Sequence, residues 1–114
     1  MDKVAVIGGG PIGLFTALKL ASKFQVDLLE KGDWPRDKVC GQGIMPSGIK
    51  LLKDVGITLD NKNSFAFNGI HYIDGENQLK GYFKETPHGI ERMTLSNMLY
   101  EKCLHNPNIK LHAN

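Results

Sequence analysis

At 114 residues the chain has room for one modest core, and a hydrophobic content of 41% is ordinary for a globular protein. The formal charge is only +2, and no basic run or aromatic-basic interleaving is present, which argues against a nucleic-acid partner. No basic segment precedes a long apolar stretch, and the most apolar region is broken by glycines and Lys19, so neither a signal peptide nor a membrane span is expected; the expected location is cytoplasmic.

The opening segment, Lys3 to Ile7, is an apolar strand that runs into Gly8, Gly10 and Gly13 at G-x-G-x-x-G spacing. Each glycine has a mechanical reason. Gly8 permits a tight turn, Gly10 leaves room for a pyrophosphate against the backbone, and Gly13 lets the following helix pack closely on the strand. Pro11 suits a first helical turn, where no N–H is needed. Ala17 lies one turn after Gly13 and places a second small residue toward the sheet. The free amides of that first turn, with the positive end of the helix dipole, favour bound phosphate.

A second strand, Val26-Asp27-Leu28-Leu29, ends at Glu30, about twenty positions after the glycines, where a carboxylate accepts hydrogen bonds from adenosine ribose hydroxyls. A 2′-phosphate there would meet like charge, so NADP is disfavoured as the ligand of this loop. The alternatives are a glycine turn without a ligand and an exposed glutamate at a strand end.

Lys31 to Lys38 is a charged stretch containing Gly32 and Pro35 that reads as a surface loop. Trp34 within it either covers an adenine or packs on its neighbours. Ser47 offers an N-cap to a helix whose apolar face is Ile49, Leu51, Leu52 and Val55 and whose stop is Gly56. Phe67 to Ile73 and Leu79 to Phe83 read as two strands joined by a turn at Asp74-Gly75-Glu76-Asn77. His71 and His88 read as surface or hairpin residues. Thr94 is expected to cap the next helix, with Leu95, Met98, Leu99 and Leu104 on one face, and Asn106-Pro107 ends it before a last strand, Ile109 to His112.

The order is strand, helix, strand, an excursion over about 31–90, helix, strand, so the expected fold is an α/β, Rossmann-like parallel sheet carrying an inserted β-hairpin. Only half of a doubly wound sheet is expected, with one open edge and an uncovered apolar face that favours self-association. The two cysteines, Cys40 and Cys103, lie far apart and are expected to remain thiols; the four histidines have no ligand spacing with them, so no metal site is expected. No nucleophile–base pair is apparent.

With these residues in place, the chain resembles the N-terminal part of FAD-dependent oxidoreductases of the aromatic-hydroxylase and geranylgeranyl-reductase superfamily. The resemblance is carried by Val6 to Gly13, Leu29-Glu30-Lys31, Lys38-Val39-Cys40-Gly41-Gln42-Gly43-Ile44-Met45-Pro46 and Gly89-Ile90-Glu91-Arg92-Met93-Thr94-Leu95. It implies an FAD-binding site in which Gly8, Gly10, Pro11, Ile12 and Gly13 hold the pyrophosphate and Glu30, with Lys31 beside it, holds the ribose. In the same way it implies that the loop from Cys40 through Gly41 to Gly43 passes beside the isoalloxazine ring. By the same resemblance Arg92 reaches the phosphate or ribityl region, for which its planar fork of donors is suited. Cys40 reads either as a thiolate near the flavin or as a small packed hydrophobe.

The resemblance further implies a flavin enzyme, a monooxygenase or a reductase-like relative, in which a hydride from NAD(P)H or another donor passes through FAD to an isoprenoid or aromatic small molecule. Members of this superfamily are several times longer, so the second glycine–aspartate segment and the substrate domain are expected to lie outside these residues. A non-catalytic, truncated dinucleotide-binding module is the rival reading. An NAD-dependent dehydrogenase fits less well, because the Cys-Gly-x-Gly loop and the long excursion have no part in a simple nicotinamide domain.

Overall fold

A computed structural model describes residues 1–34 and 43–113. Strand β1 (Lys3–Ile7), helix α1 (Pro11–Leu20) and strand β2 (Gln25–Glu30) open the chain, and helix α3 (Arg92–Leu104) and strand β8 (Ile109–Ala113) close it. These strands form one parallel sheet in the order β1-β2-β8, with Val4 opposite Val26 and Val26 opposite Ile109. The expected parallel core is therefore present, with β2 at its centre.

Between β2 and α3 lie strand β3 (Gly43–Ile44), helix α2 (Pro46–Asp54), and strands β4 (Phe65–Ala66), β5 (Gly69–Asp74), β6 (Asn77–Tyr82) and β7 (His88–Gly89). Strands β5 and β6 form the expected hairpin, a separate two-stranded sheet that turns at Gly75, whose φ of +59° is the left-handed conformation a tight turn requires. Strands β3, β7 and β4 make a small antiparallel sheet. No alternation predicts these two-residue pairings, because strands so short carry no periodic signal.

The helices α1 and α3 pack together over one face of the parallel sheet. Leu14 and Ala17 from α1, Val26 and Leu28 from β2, Leu95, Leu99 and Cys103 from α3, and Ile109 from β8 are its buried core. The other face carries Ala5, Ile7, Asp27, Leu29, Lys110 and His112, and Ile7 is 79% exposed. The uncovered apolar face expected from the sequence is mixed: Ile7 and Leu29 are exposed on it, and His112 Nε2 lies 2.7 Å from Asp27 Oδ1 across its middle.

Both proposed cap residues are displaced. Met45, not Ser47, flanks the start of α2, and Pro46 occupies its first turn; Glu91, not Thr94, flanks α3, so Arg92 is itself the first helical residue. Proline's fixed φ begins α2 at Pro46, one residue ahead of the serine. Leu51 and Leu104, placed on apolar faces by spacing, are 49% and 52% exposed, while Leu52 and Cys103 face inward. Gly56 ends α2 as expected, with φ +84°. Asn106 accepts from the Asn108 N–H at 2.9 Å to turn the chain into β8, and Asn108 in turn donates to Ala21 O and accepts from Gln25 Nε2, tying the α1 end to β2 and β8.

Candidate functional site

The C-terminal ends of β1 and β2 meet the N-terminus of α1, and the glycine loop between them is held from several sides. Gly8, at φ +104°, donates its N–H to Leu29 O at 2.8 Å, which pins the turn to the end of β2. A side chain at Gly13 would stand 2.9 Å from the Gly8 carbonyl carbon and closer still to its oxygen, so the helix can approach the turn only if this residue is glycine. Ala17, fully buried one turn later, continues that close packing.

Gly9 is held at both of its backbone groups. Its N–H donates to Glu30 Oε1 at 3.0 Å, and its carbonyl accepts from Trp34 Nε1 at 2.9 Å. The other Glu30 oxygen accepts from the Gly32 N–H at 2.6 Å. Glu30 is only 7% exposed, a burial that these charge-assisted bonds offset. Its carboxylate therefore braces the glycine loop, a role that the motif spacing alone does not reveal. Trp34 stacks on Tyr100 of α3 at 5.5 Å between ring centroids and 18° between planes. Trp34 packs on its neighbours, one of which is the glycine loop itself.

Gly10, unlike Gly9 and Gly13, is uncrowded. The space where its side chain would stand is open, and among the described residues it meets within 4 Å only Arg92 Nη2, at 3.9 Å. Residues roughly eighty positions apart in the chain thus converge on one gap at the N-terminus of α1. The Leu14 N–H closes onto Gly10 O at 2.9 Å, Pro11 has no donor, and Ile12 and Gly13 are the first-turn residues whose amides have no intrahelical acceptor. A guanidinium, two helix-start amides and a missing Cβ face the same space. That donor set fits a diphosphate, and nothing in it would repel one.

Beside Arg92 a cavity of about 330 Å³ opens between α1, α2 and α3, walled by Pro11, Ile12, Phe15, Ile44, Leu52 and Leu95. The exposure of Ile12, 79%, fits its position at this rim. Lys31 is exposed on the loop after β2. Gly43 pairs with Gly89 in β3 and β7, and among the described residues a Cβ there would make ordinary contacts with Met45 and Phe67. Cys40 and Gly41 lie outside the described residues.

Two further groups are now accounted for. His88 is half-buried, not a surface residue, with Nδ1 2.8 Å from Ser64 Oγ. This is a serine–histidine pair that the sequence did not suggest, but Ser64 is buried and its hydroxyl donates to Asp60 O at 2.7 Å, so its proton is committed to a turn. Cys103 Sγ contacts Leu14 O at 3.5 Å, and burial pushes its thiol up to about 12, which leaves it inert between α1 and α3. Among the described residues no helix is long and apolar enough to cross a membrane.

Residues 1–101 match the family model described as "FAD binding domain". The chain is 31% identical over 125 aligned positions to kynurenine 3-monooxygenase of Drosophila willistoni, covering 96% of this chain and 28% of that protein. Among solved structures, p-nitrophenol 4-monooxygenase PnpA from Pseudomonas putida DLL-E4 superposes with a TM-score of 0.83 at 24% identity, covering 100% of this chain and 33% of that one. A variant of P. aeruginosa PqsL gives a TM-score of 0.87 at 16% identity, over 99% of this chain and 33% of its own. The chain thus spans about a third or less of the length of these proteins. With the βαβ core, the glycine loop and the matched family model in agreement, the chain belongs to the FAD binding domain family.

Proposed function

We propose that this chain is the cofactor-holding N-terminal part of a flavin-dependent oxidoreductase of the monooxygenase type, acting on an organic small molecule. The observation that carries the reading is the open side-chain position of Gly10 facing Arg92 Nη2 at the start of α1. In this reading the amides of Ile12 and Gly13 and the Arg92 guanidinium receive the pyrophosphate. The absent Gly10 side chain sets the distance of approach, and Pro11 starts the helix without a competing donor. Glu30 holds the loop through Gly9 and Gly32, and in this reading its carboxylate is also the group that meets the adenosine ribose. The charge on Glu30 makes the 2′-phosphate of NADP unwelcome at this loop.

When bound, FAD supplies the redox chemistry, for which we propose NAD(P)H as the hydride donor and an aromatic or isoprenoid acceptor. The names of the matched relatives, which include a kynurenine and a p-nitrophenol monooxygenase, favour the aromatic class. Positions 40–43 are assigned to the flavin side of the site by the sequence resemblance.

The test is titration of the protein with FAD, read by calorimetry and by quenching of its single tryptophan, Trp34. Saturable binding is expected, with Arg92→Ala weakening it roughly tenfold or more through loss of a charged hydrogen-bond partner. An Arg92→Ala protein that binds as the native one does would remove Arg92 from the site. A native protein that takes up no FAD would overturn the reading.

A further inference from the structure

We infer that Trp34 is a positioning residue for the phosphate-binding loop, acting through the Gly9 peptide and the α3 helix; the inference rests on the cofactor reading above. Three observations converge on it. The indole N–H donates to Gly9 O at 2.9 Å, so with Glu30 on the N–H both polar groups of that residue are fixed by side chains. The ring stacks on Tyr100, which stands eight residues, about 12 Å of helix, beyond Arg92 on α3. A Cβ at Gly9 would lie 2.7 Å from Trp34 Cε2 and 2.8 Å from Nε1.

Position 9 is a free position of the G-x-G-x-x-G pattern, and Gly9 is not among the positive-φ glycines, so neither motif nor backbone demands glycine there. The indole does. It lies against Gly9 on one side and Tyr100 of α3 on the other, and so helps to set the gap across which Arg92 faces Gly10. Removing the ring should let the loop and α3 close or slip and misplace the guanidinium without disturbing the sheet, which Trp34 does not join.

The experiment compares FAD affinity and the unfolding midpoint of the FAD-free protein for Trp34→Phe, Trp34→Ala, Gly9→Ala and the pair Gly9→Ala/Trp34→Ala, each also measured with Arg92→Ala. Trp34→Phe keeps a ring for Tyr100 but loses the donor and the outer edge of the indole that lies against Gly9. It should weaken FAD roughly fivefold, the scale of one hydrogen bond, with a midpoint fall of only about 2–6 °C. Gly9→Ala should bind poorly and recover part of its affinity when Trp34 is cut back to alanine. In the Trp34→Ala background, Arg92→Ala should cost far less than in the native protein, a non-additivity that a purely structural tryptophan would not produce. If Trp34→Ala fails to fold, the Trp34→Phe titration decides. Equal FAD affinity in Trp34→Phe and native protein, or an Arg92→Ala cost that is the same in both backgrounds, overturns the inference alone. A native protein without FAD affinity overturns the cofactor reading and this inference with it.

Discussion

Gly10→Val separates affinity from stability at the glycine loop. The backbone at Gly10, φ −73° and ψ −179°, is extended and open to any residue, and among the described residues its missing Cβ meets only Arg92 Nη2, at 3.9 Å. Valine's methyls reach ~1.5 Å beyond Cβ, into the gap assigned to the pyrophosphate and toward the end of a flexible side chain that can yield. The cost to the fold is loss of a favourable N-cap glycine, about 0.5–1 kcal/mol, or a midpoint fall of roughly 4 °C or less. FAD affinity should fall at least ~100-fold, about 2.8 kcal/mol. Gly13→Ala supplies the contrast. Its Cβ would overlap the Gly8 carbonyl, so helix and turn would have to separate by more than ~1 Å, at about 2–3 kcal/mol and a midpoint loss of roughly 10 °C. Differential scanning fluorimetry and calorimetric FAD titration of both variants are the assay. If Gly10→Val binds FAD with native affinity, or loses affinity only in proportion to a fall in midpoint, the space beside Gly10 is not where the pyrophosphate lies.

Three other perturbations have defined outcomes. Glu30→Gln replaces an acceptor by a group that cannot take both the Gly9 and Gly32 N–H bonds, so FAD binding should weaken by roughly 1–3 kcal/mol and discrimination against 2′-phosphorylated nucleotides should relax; equal competition by NAD and NADP against the native protein would contradict the charge argument. The buried Cys103 thiol, pushed from 9.0 to about 12, keeps its proton in the folded state after an unfolded chain has lost it. Its contribution is thus complete below about pH 9 and lost progressively toward pH 12, a slope that should vanish in Cys103→Ala when denaturation midpoints are followed with pH. Hydrogen bonding from His112 holds the Asp27 carboxyl below its ordinary 3.8, so the pair's contribution is present above that value and declines as acid protonates the folded carboxyl. In Asp27→Asn the acid limb of the stability profile should be shallower, and an unchanged limb would remove the pair from the account.

The sequence by itself determined what depends on short-range chemistry. The apolar run into Gly8, Gly10 and Gly13, the helix from Pro11, and the strand ending at Glu30 follow from local geometry and glycine sterics. So do the Gly75 turn of the hairpin and the left-handed stop at Gly56. The Arg-x-x-Leu segment was legible as the opening of a helix, but its cap was not, because Thr94 is as good a local candidate as any and only the packed chain selects Glu91 as the flanking residue. Helical spacing put Leu51 and Leu104 on buried faces, whereas the small face that α2 and the last turn of α3 present to the core leaves both in solvent.

Only the tertiary structure decided which distant groups meet. Arg92 faces Gly10 because α3 packs on α1 over the same side of the sheet, and no pattern within either segment carries that information. The same holds for Trp34, whose place against Gly9 and Tyr100 joins three segments, and for Ser64 with His88, brought together by turns about twenty-four residues apart. Glu30 shows both levels at once. Its position at a strand end is written in the spacing, whereas its grip on the Gly9 and Gly32 amides exists only once the loop after β2 folds back over the glycines, since hydrogen bonds form between groups that the fold, not the sequence order, makes neighbours.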